Sequence, residues 1–321
     1  MYFNESNQFF HGIMFHHFHD NAIHTKGQGS ISTDDFYRII NFIGKKNILD
    51  ANIFFEKYKN NSLKKNEVCI TFDDALKCQI DIALPVLEEL QIKAFFFVNT
   101  SIFENNPDFL EVIRHFRTNY FKSIDDFYSK FYQYISKDLN SFFKHNEKEI
   151  IYMKSQFPFY SIEDIRFRLV RDNFINKNLY NNIIIKMMNE KQFTPEDVFS
   201  ILFFSKNDLR NLNHLGHTIG LHSHNHPTSL EKLEYEDQRN EYEKCLSVIS
   251  KILNTKTNTI KTMSHPCGSY NDKTLKILKE LNIELGFKQI MKTDKRVKKI
   301  NNSRFEIARE DHSNILRRIS K

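Results

Sequence analysis

Two stretches of this chain bring together residue types that can hold a metal ion and move a proton. The first is Gly216-His217-Thr218-Ile219-Gly220-Leu221-His222-Ser223-His224-Asn225-His226-Pro227, in which His222 and His226 stand four apart. That spacing lets two imidazoles close on one ion from a single turn of chain. Gly220 and Pro227 bracket the pair, which points to a strand end running into a tight turn rather than to a mid-helix pair. The second is Val68-Cys69-Ile70-Thr71-Phe72-Asp73-Asp74, a β-branched apolar run that ends in two adjacent carboxylates. Two imidazoles and one carboxylate form a facial ligand set for zinc or a related divalent ion, with positions left open for water and substrate. The other carboxylate is then free to act as a base. The bland alternative is a histidine-rich surface loop. The carboxylate pair argues against it, and so does the clustering of histidine: five of the 14 fall in residues 11–24, five in 214–226, and two more are His265 and His312.

Side chains of this kind need strands to present them. Gly12-Ile13-Met14-Phe15 reads as a short buried strand that runs into His16-His17-Phe18-His19-Asp20. Ser32 with Asp35 reads as a helix N-cap, and Phe36, Ile39, Ile40 and Ile43 mark one face of the helix that follows. After the strand 68–72 comes an apolar helical face (Ala83, Val86, Leu87, Leu90), then a second buried strand over 92–98. Strand, helix and strand in about thirty residues make a βαβ unit with its polar groups at a strand's C-terminal end. Residues 104–200 change character. Glycine disappears, and capped amphipathic segments follow one another from Ser123, Ser161 and Thr194-Pro195. This is read as a helical insert packed by aromatic faces. Its use would be as a lid or substrate selector, with a homodimer contact as the competing use. From Ser205 the alternation resumes: a capped helix, a strand over 216–222, a helix over 236–253, a short strand reaching Ser264, a helix over 273–281, and a last short strand over 305–312.

Taken in order, Thr71-Phe72-Asp73-Asp74, the His222/His226 pair after Gly216–Gly220, and Ser264-His265-Pro266-Cys267-Gly268-Ser269-Tyr270-Asn271 resemble the first three motifs of the polysaccharide deacetylases, the NodB-type carbohydrate esterases. The resemblance covers residues 10–100 and 205–312. It implies an α/β fold, a distorted (β/α) barrel of the deacetylase type, here one domain over 1–321 interrupted by the insert at about 104–200. It implies a divalent metal cofactor, zinc foremost, on Asp74, His222 and His226, with Asp73 as general base. His224 is a rival ligand whose spacing does not match. The family usually takes its general acid from a strand near the chain's end. Here Ile13-Met14-Phe15-His16 resembles that strand in members whose barrel is circularly shifted, so His16 is assigned as acid. As acid it is expected to face the ion from the side opposite Asp73; His17 is the runner-up and His312 the next choice. Ser264 stands where the third motif carries an arginine that orients the base, and Arg309 is the substitute from an adjacent strand. Pro266 and Gly268 shape the loop, whose backbone is expected to help bind the acetyl group or the oxyanion.

Composition narrows the rest. A chain of 321 residues, 40% of them hydrophobic, can bury a full core. The net charge of +6 comes from lysines spread along the chain, which argues against a nucleic-acid partner. The four cysteines have no metal-type spacing and sit among apolar residues, so reduced thiols are expected. No run reaches the length of a membrane span, and residues 1–8 lack a basic then apolar leader. A cytoplasmic hydrolase that removes an N-acetyl or N-formyl group from an amino sugar or glycan precursor, for cell-envelope polysaccharide, is the function expected. The alternatives are an amidohydrolase acting on a non-sugar amide and a degenerate barrel that binds glycan without cleaving it.

Overall fold

The computed structural model describes residues 2–106, 109–136, 138–156, 160–292 and 299–320. Seven strands form one sheet: β1 (His11–Phe15), β2 (Val68–Phe72), β3 (Phe95–Val98), β4 (Thr218–Leu221), β5 (Thr262–Ser264), β6 (Leu285–Phe287) and β7 (Arg309–Asp311). Their order is β6-β5-β4-β3-β2-β1-β7, and every pairing is parallel. A further parallel bridge, Phe287 to Ile307, ties β6 to the lead-in of β7 and nearly closes the ring. The result is a distorted (β/α) barrel of the deacetylase type. Strands buried on both faces read as unbroken apolar runs, which is why Val68–Phe72 and Phe95–Val98 stand out in the sequence.

Alternation along the strands divides the two faces. Cys69, Phe95, Phe97, Leu285, Phe287 and Ile307 come from strands far apart in the order yet form one core cluster, so they fill the barrel interior. The outward set is Phe15, Phe72 and Phe96. Phe15 and Phe72 meet Phe36 of the helix Thr33–Ile43 edge to face, and Phe72 and Phe96 stack on each other at 4.7 Å. Gly220 faces inward. A Cβ there would lie 2.6 Å from the Phe97 ring and 2.6 Å from Thr262 Oγ1, so no larger residue fits.

Two elements differ from the sequence reading. β6 is only three residues long and has a glycine at its centre, too little for an alternation signal. The last segment is strand only over Arg309–Asp311, because Asp311 caps a helix, His312–Ile319, through Ser313 N. Three cysteines are buried as expected, but Cys267 is exposed.

The chain divides into two compact units. The barrel unit holds residues up to 24, 30–108 and from 200 onward. The helical unit holds 109–199 and also 25–29, a strip the sequence did not assign to it. Two of its helices begin at the expected caps, Ser123 and Ser161, each in a reciprocal capping box with the aspartate three residues on, whereas Thr194-Pro195 opens only a short 3-10 turn without a side-chain cap. Phe116, Phe127, Phe131, Phe167 and Tyr180 pack ring on ring at its centre. No helix among the described residues is long and apolar enough to cross a membrane.

Candidate active site

The polar groups collect at the C-terminal ends of β1, β2, β4, β5 and at β7. β2 ends at Phe72, and Asp73 continues its ladder by one bond, from its N–H to Phe15 O at 3.2 Å. Asp73 therefore keeps the inward face of Cys69 and Thr71. Asp74 and Ala75 then take left-handed backbone conformations, φ 75° and 53°. This is how two adjacent carboxylates, which a regular strand would send to opposite faces, come to serve one site. The histidine segment is shaped similarly. His222 N–H donates to Val98 O at 3.0 Å, after which Ser223 (φ 63°) and His226 (φ 52°) are both left-handed. Glu241 of the helix Tyr235–Leu253 accepts from the N–H groups of His224 at 3.0 Å and Asn225 at 2.7 Å, and Ser223 Oγ accepts from His226 N–H. These three hydrogen bonds and two left-handed residues curl the loop back, and His226 rejoins His222 with ring centroids 4.9 Å apart.

Nε2 of His222 and Nε2 of His226 lie 3.2 Å and 3.3 Å from the same oxygen, Asp74 Oδ1. Ligand atoms held tetrahedrally at about 2.0–2.1 Å from one ion would stand about 3.3–3.4 Å apart, so these two sides have the length of a zinc-type site, and all three ligand atoms lie within 4.8 Å of one another. His222 Nδ1 lies 2.9 Å from Ser264 O, which fixes the N–H on that side and turns the Nε2 lone pair toward Asp74. Asp74 Oδ1 is buried with no hydrogen-bond partner. A buried carboxylate oxygen faced by two imidazole nitrogens and bonded to neither fits a divalent ion, and among the described residues these three form a group that could hold one. Burial opposes ionisation of Asp74, but His226, His222 and His16 hold its carboxyl well below the usual range. His224 faces elsewhere. Its Nδ1 pairs with Thr100 Oγ1 at 2.8 Å, and its Nε2 is 3.6 Å from Glu104.

Asp73 has a different partner. Arg309 grips it with both ends of the guanidinium, Nη1 to Oδ1 and Nη2 to Oδ2, each at 2.7 Å. The same group donates to Ser264 Oγ at 2.7 Å, Thr71 Oγ1 at 3.3 Å and, through Nε, Lys288 O at 3.1 Å. Ser264 Oγ in turn donates to Asp73 Oδ2 at 3.2 Å. Burial alone would raise the Asp73 carboxyl, but Arg309, then His222 and His16, bring it below its ordinary value. Arg309 does not come from a strand adjacent to β2, since β1 lies between. It crosses over Gly12, its partner in the β1–β7 register. A Cβ on Gly12 would stand 3.0 Å from Arg309 Cγ and 3.3 Å from Cδ.

His16 follows β1 on the inward face of Gly12 and Met14, about a fifth exposed. Its Nε2 is 3.8 Å from both Asp73 Oδ2 and Asp74 Oδ2. The sequence reading set it across the ion from Asp73. It stands beside Asp73 instead, because β1 pairs with β2 in the register Phe15 to Phe72, which makes His16 and Asp73 ladder neighbours. His17 does not turn away as strand alternation alone would have it, because the strand has ended: its ring lies nearly parallel to that of His16, centroids 6.3 Å apart, and its carbonyl accepts from Ile31 N–H. His312 is buried against Phe15, its ring stacked at 5.5 Å in the outward layer, and its Nδ1 lies 3.2 Å from Met14 O. Asp311, not His312, shares the face of Arg309. Burial works against the Asp311 carboxyl's ionisation, but His312, Ser313 and His16 draw it below its ordinary value. Pro266, Cys267 and Gly268 form a single tight turn with Cys267 and Gly268 both left-handed. Cys267 Sγ lies 3.9 Å from His226 Nε2.

Sequence reasoning did not pick out Gly12, Thr71 or Ser264 as partners in the Asp73 network. A glycine inside a buried strand was the available signal for Gly12. Ser264 was read only as a missing arginine, whereas its small side chain leaves room for the guanidinium that arrives from β7.

Residues 60–117 and 174–286 match a family model described as polysaccharide deacetylase. No curated protein matches the chain. Among solved structures, the deacetylase PplD of Streptococcus pyogenes, in complex with acetate, is 16% identical, with 95% of this chain and 96% of that one covered and a TM-score of 0.55. A de-N-acetylase from Aggregatibacter actinomycetemcomitans is 13% identical over 96% and 98% of the two chains, TM-score 0.55. The deacetylase domain of BpsB from Bordetella bronchiseptica is 12% identical over 96% of each, TM-score 0.52. At such identities the likeness is one of fold.

Proposed function

The chain belongs to the polysaccharide deacetylase family, and on that premise we propose that it removes the N-acetyl (or N-formyl) group of an amino sugar or glycan precursor by metal-dependent hydrolysis, in the making of a cell-envelope polysaccharide. Asp74, His222 and His226 would hold a divalent ion, zinc foremost. When bound, such an ion lowers the pKa of water and polarises the amide carbonyl. The observation that carries the reading is the buried, partnerless Asp74 Oδ1 facing both imidazoles, beside a carboxylate that Arg309 keeps ionised.

The protein's own groups divide the proton work. Asp73 takes a proton from the attacking water. Its bidentate pairing with Arg309 makes it a weaker base but keeps it ionised and points its oxygens. His16 is partly open to solvent, on the side from which a sugar can approach, and delivers a proton to the leaving amine. The turn at Pro266–Gly268 borders His226 and lines the approach for the acyl group. The case for a non-catalytic barrel rested on Ser264 in the place of an arginine. Arg309 on Asp73 removes that support.

Metal analysis of the purified protein, together with an acetate-release screen over acetylated nucleotide sugars, lipid-linked sugars and oligosaccharides, tests the proposal. The expected result is one ion per chain and turnover on at least one substrate. Asp73→Asn should keep the ion and lose about a hundredfold or more in turnover. A folded protein that takes up no divalent ion, or an Asp73→Asn variant with undiminished turnover, would overturn it.

A further inference from the structure

Past Asp73 and Asp74 the chain enters a π-helical turn, Gln79–Ala83, before the helix Leu84–Glu89. Wide turns of this type are often tied to functional sites. Gln79 opens the turn and is fully buried. Its Nε2 donates to two carbonyls, His16 O at 3.0 Å and Asp73 O at 2.7 Å. Both partners are acceptors, so only the amino end of the amide can face them. One primary amide thus spends its two N–H groups on the backbones of the two residues read above as acid and base. Beside it, Cys78 Sγ accepts from Phe18 N–H at 3.3 Å, so the same turn holds the chain that leaves β1 a second time.

The bridge stands where the sheet stops. The β1–β2 ladder makes its last bond from Asp73 N–H to Phe15 O. Beyond it the two strands part, toward residue 18 on one side and into the Asp74–Ala75 turn on the other. The other end of the amide, Oε1, is buried with no hydrogen-bond partner, an arrangement that costs about 1–3 kcal/mol. A leucine or methionine would fill the space without that cost, so the two donated hydrogen bonds are what the amide contributes.

We infer that Gln79 is a positioning residue that sets the spacing of His16 and Asp73 by tying their carbonyls together. The inference rests on the acid and base roles proposed for those residues. Gln79→Met keeps the length and volume of the side chain but no donor. Gln79→Glu, protonated when buried, keeps a single donor. In the metal-loaded protein the Met variant should lose about 10–100-fold in kcat, with KM changed by no more than about twofold and the metal content intact. The Glu variant should fall between Met and the parent. The ring proton–nitrogen signals of His16, identified by their loss in His16→Ala, should shift in the Met variant. Ring signals identical to the parent's, or a kcat loss that tracks lost metal or a raised KM, would overturn the inference. Ring signals that move while turnover stays unchanged would support the tie and remove His16 from the role of acid. If the Met variant does not fold, the Glu variant carries the same comparison.

Discussion

Replacing Arg309 by methionine removes a fully buried guanidinium while roughly keeping its stem. Five hydrogen bonds go with it: two to Asp73 and one each to Ser264, Thr71 and Lys288 O. The larger effect is on Asp73, left as a buried charge without the guanidinium that pairs with it. Breaking a buried pair from one side costs about 3–5 kcal/mol, and that loss is expected near neutral pH. Its pH dependence identifies the cause. In the parent, Asp73 has a carboxyl depressed by the fold. It adds stability above the unfolded value of about 3.9 and loses it as pH falls through the folded value. In Arg309→Met the largest of the groups opposing burial is gone and the carboxyl rises relative to the parent's, so ionised Asp73 contributes less stability and acid takes less away from the variant. The gap in unfolding free energy between parent and variant, measured by urea denaturation at equal metal loading, should therefore be widest at pH 7–8 and shrink toward pH 4. The acid limb of kcat/KM should move to higher pH for the same reason, since more of the base carries a proton. Arg309→Lys, which keeps the charge but not the fork, should fall between the two. Equal stabilities at pH 7, or a gap that widens on acidification, would refute the argument.

Gly12→Ala should destabilise the protein by about 1–3 kcal/mol in the same denaturation assay, because the new methyl meets an arginine stem that its hydrogen bonds hold in place. Parent-like stability would mean that the stem can yield. His16→Ala should lower turnover by about a hundredfold or more and leave metal content unchanged, while His17→Ala should do much less. Equal losses from the two, in steady-state assays, would remove the distinction between them.

What could be read in the sequence was local. The capping boxes at Ser32, Ser123, Ser161 and Ser205 are each made between residues three apart, and all four form. Asp73, Asp74, His222 and His226 stood out because each pair terminates a strand whose apolar run or glycine bracket is visible within ten residues. The rest depends on pairings that no window contains. Arg309 reaches Asp73 over an intervening strand, across residue 12, where any side chain would crowd the arginine stem. The side of the site on which His16 stands follows from the β1–β2 register, which neither strand declares alone. Gln79 is invisible as a motif, being a lone amide whose partners are backbone carbonyls. β6, with three residues, is specified by its neighbours rather than by its own pattern.

The crossing of Arg309 over Gly12 also bears on how the protein is made. Asp73 and the arginine that neutralises it are separated by 236 positions. On the ribosome, the carboxylate and most of the barrel emerge long before their cation. Until β7 arrives, β1 can pair with β2 on one side only, its other edge bare. A contact so distant along the chain is slow to form, and open strand edges are what partly folded chains aggregate through. The nascent polypeptide therefore carries an unneutralised interior charge and an unpaired edge until β7 is synthesised. Assembly of the base and its arginine coincides with closure of the barrel, so a chain halted before Arg309 would have neither.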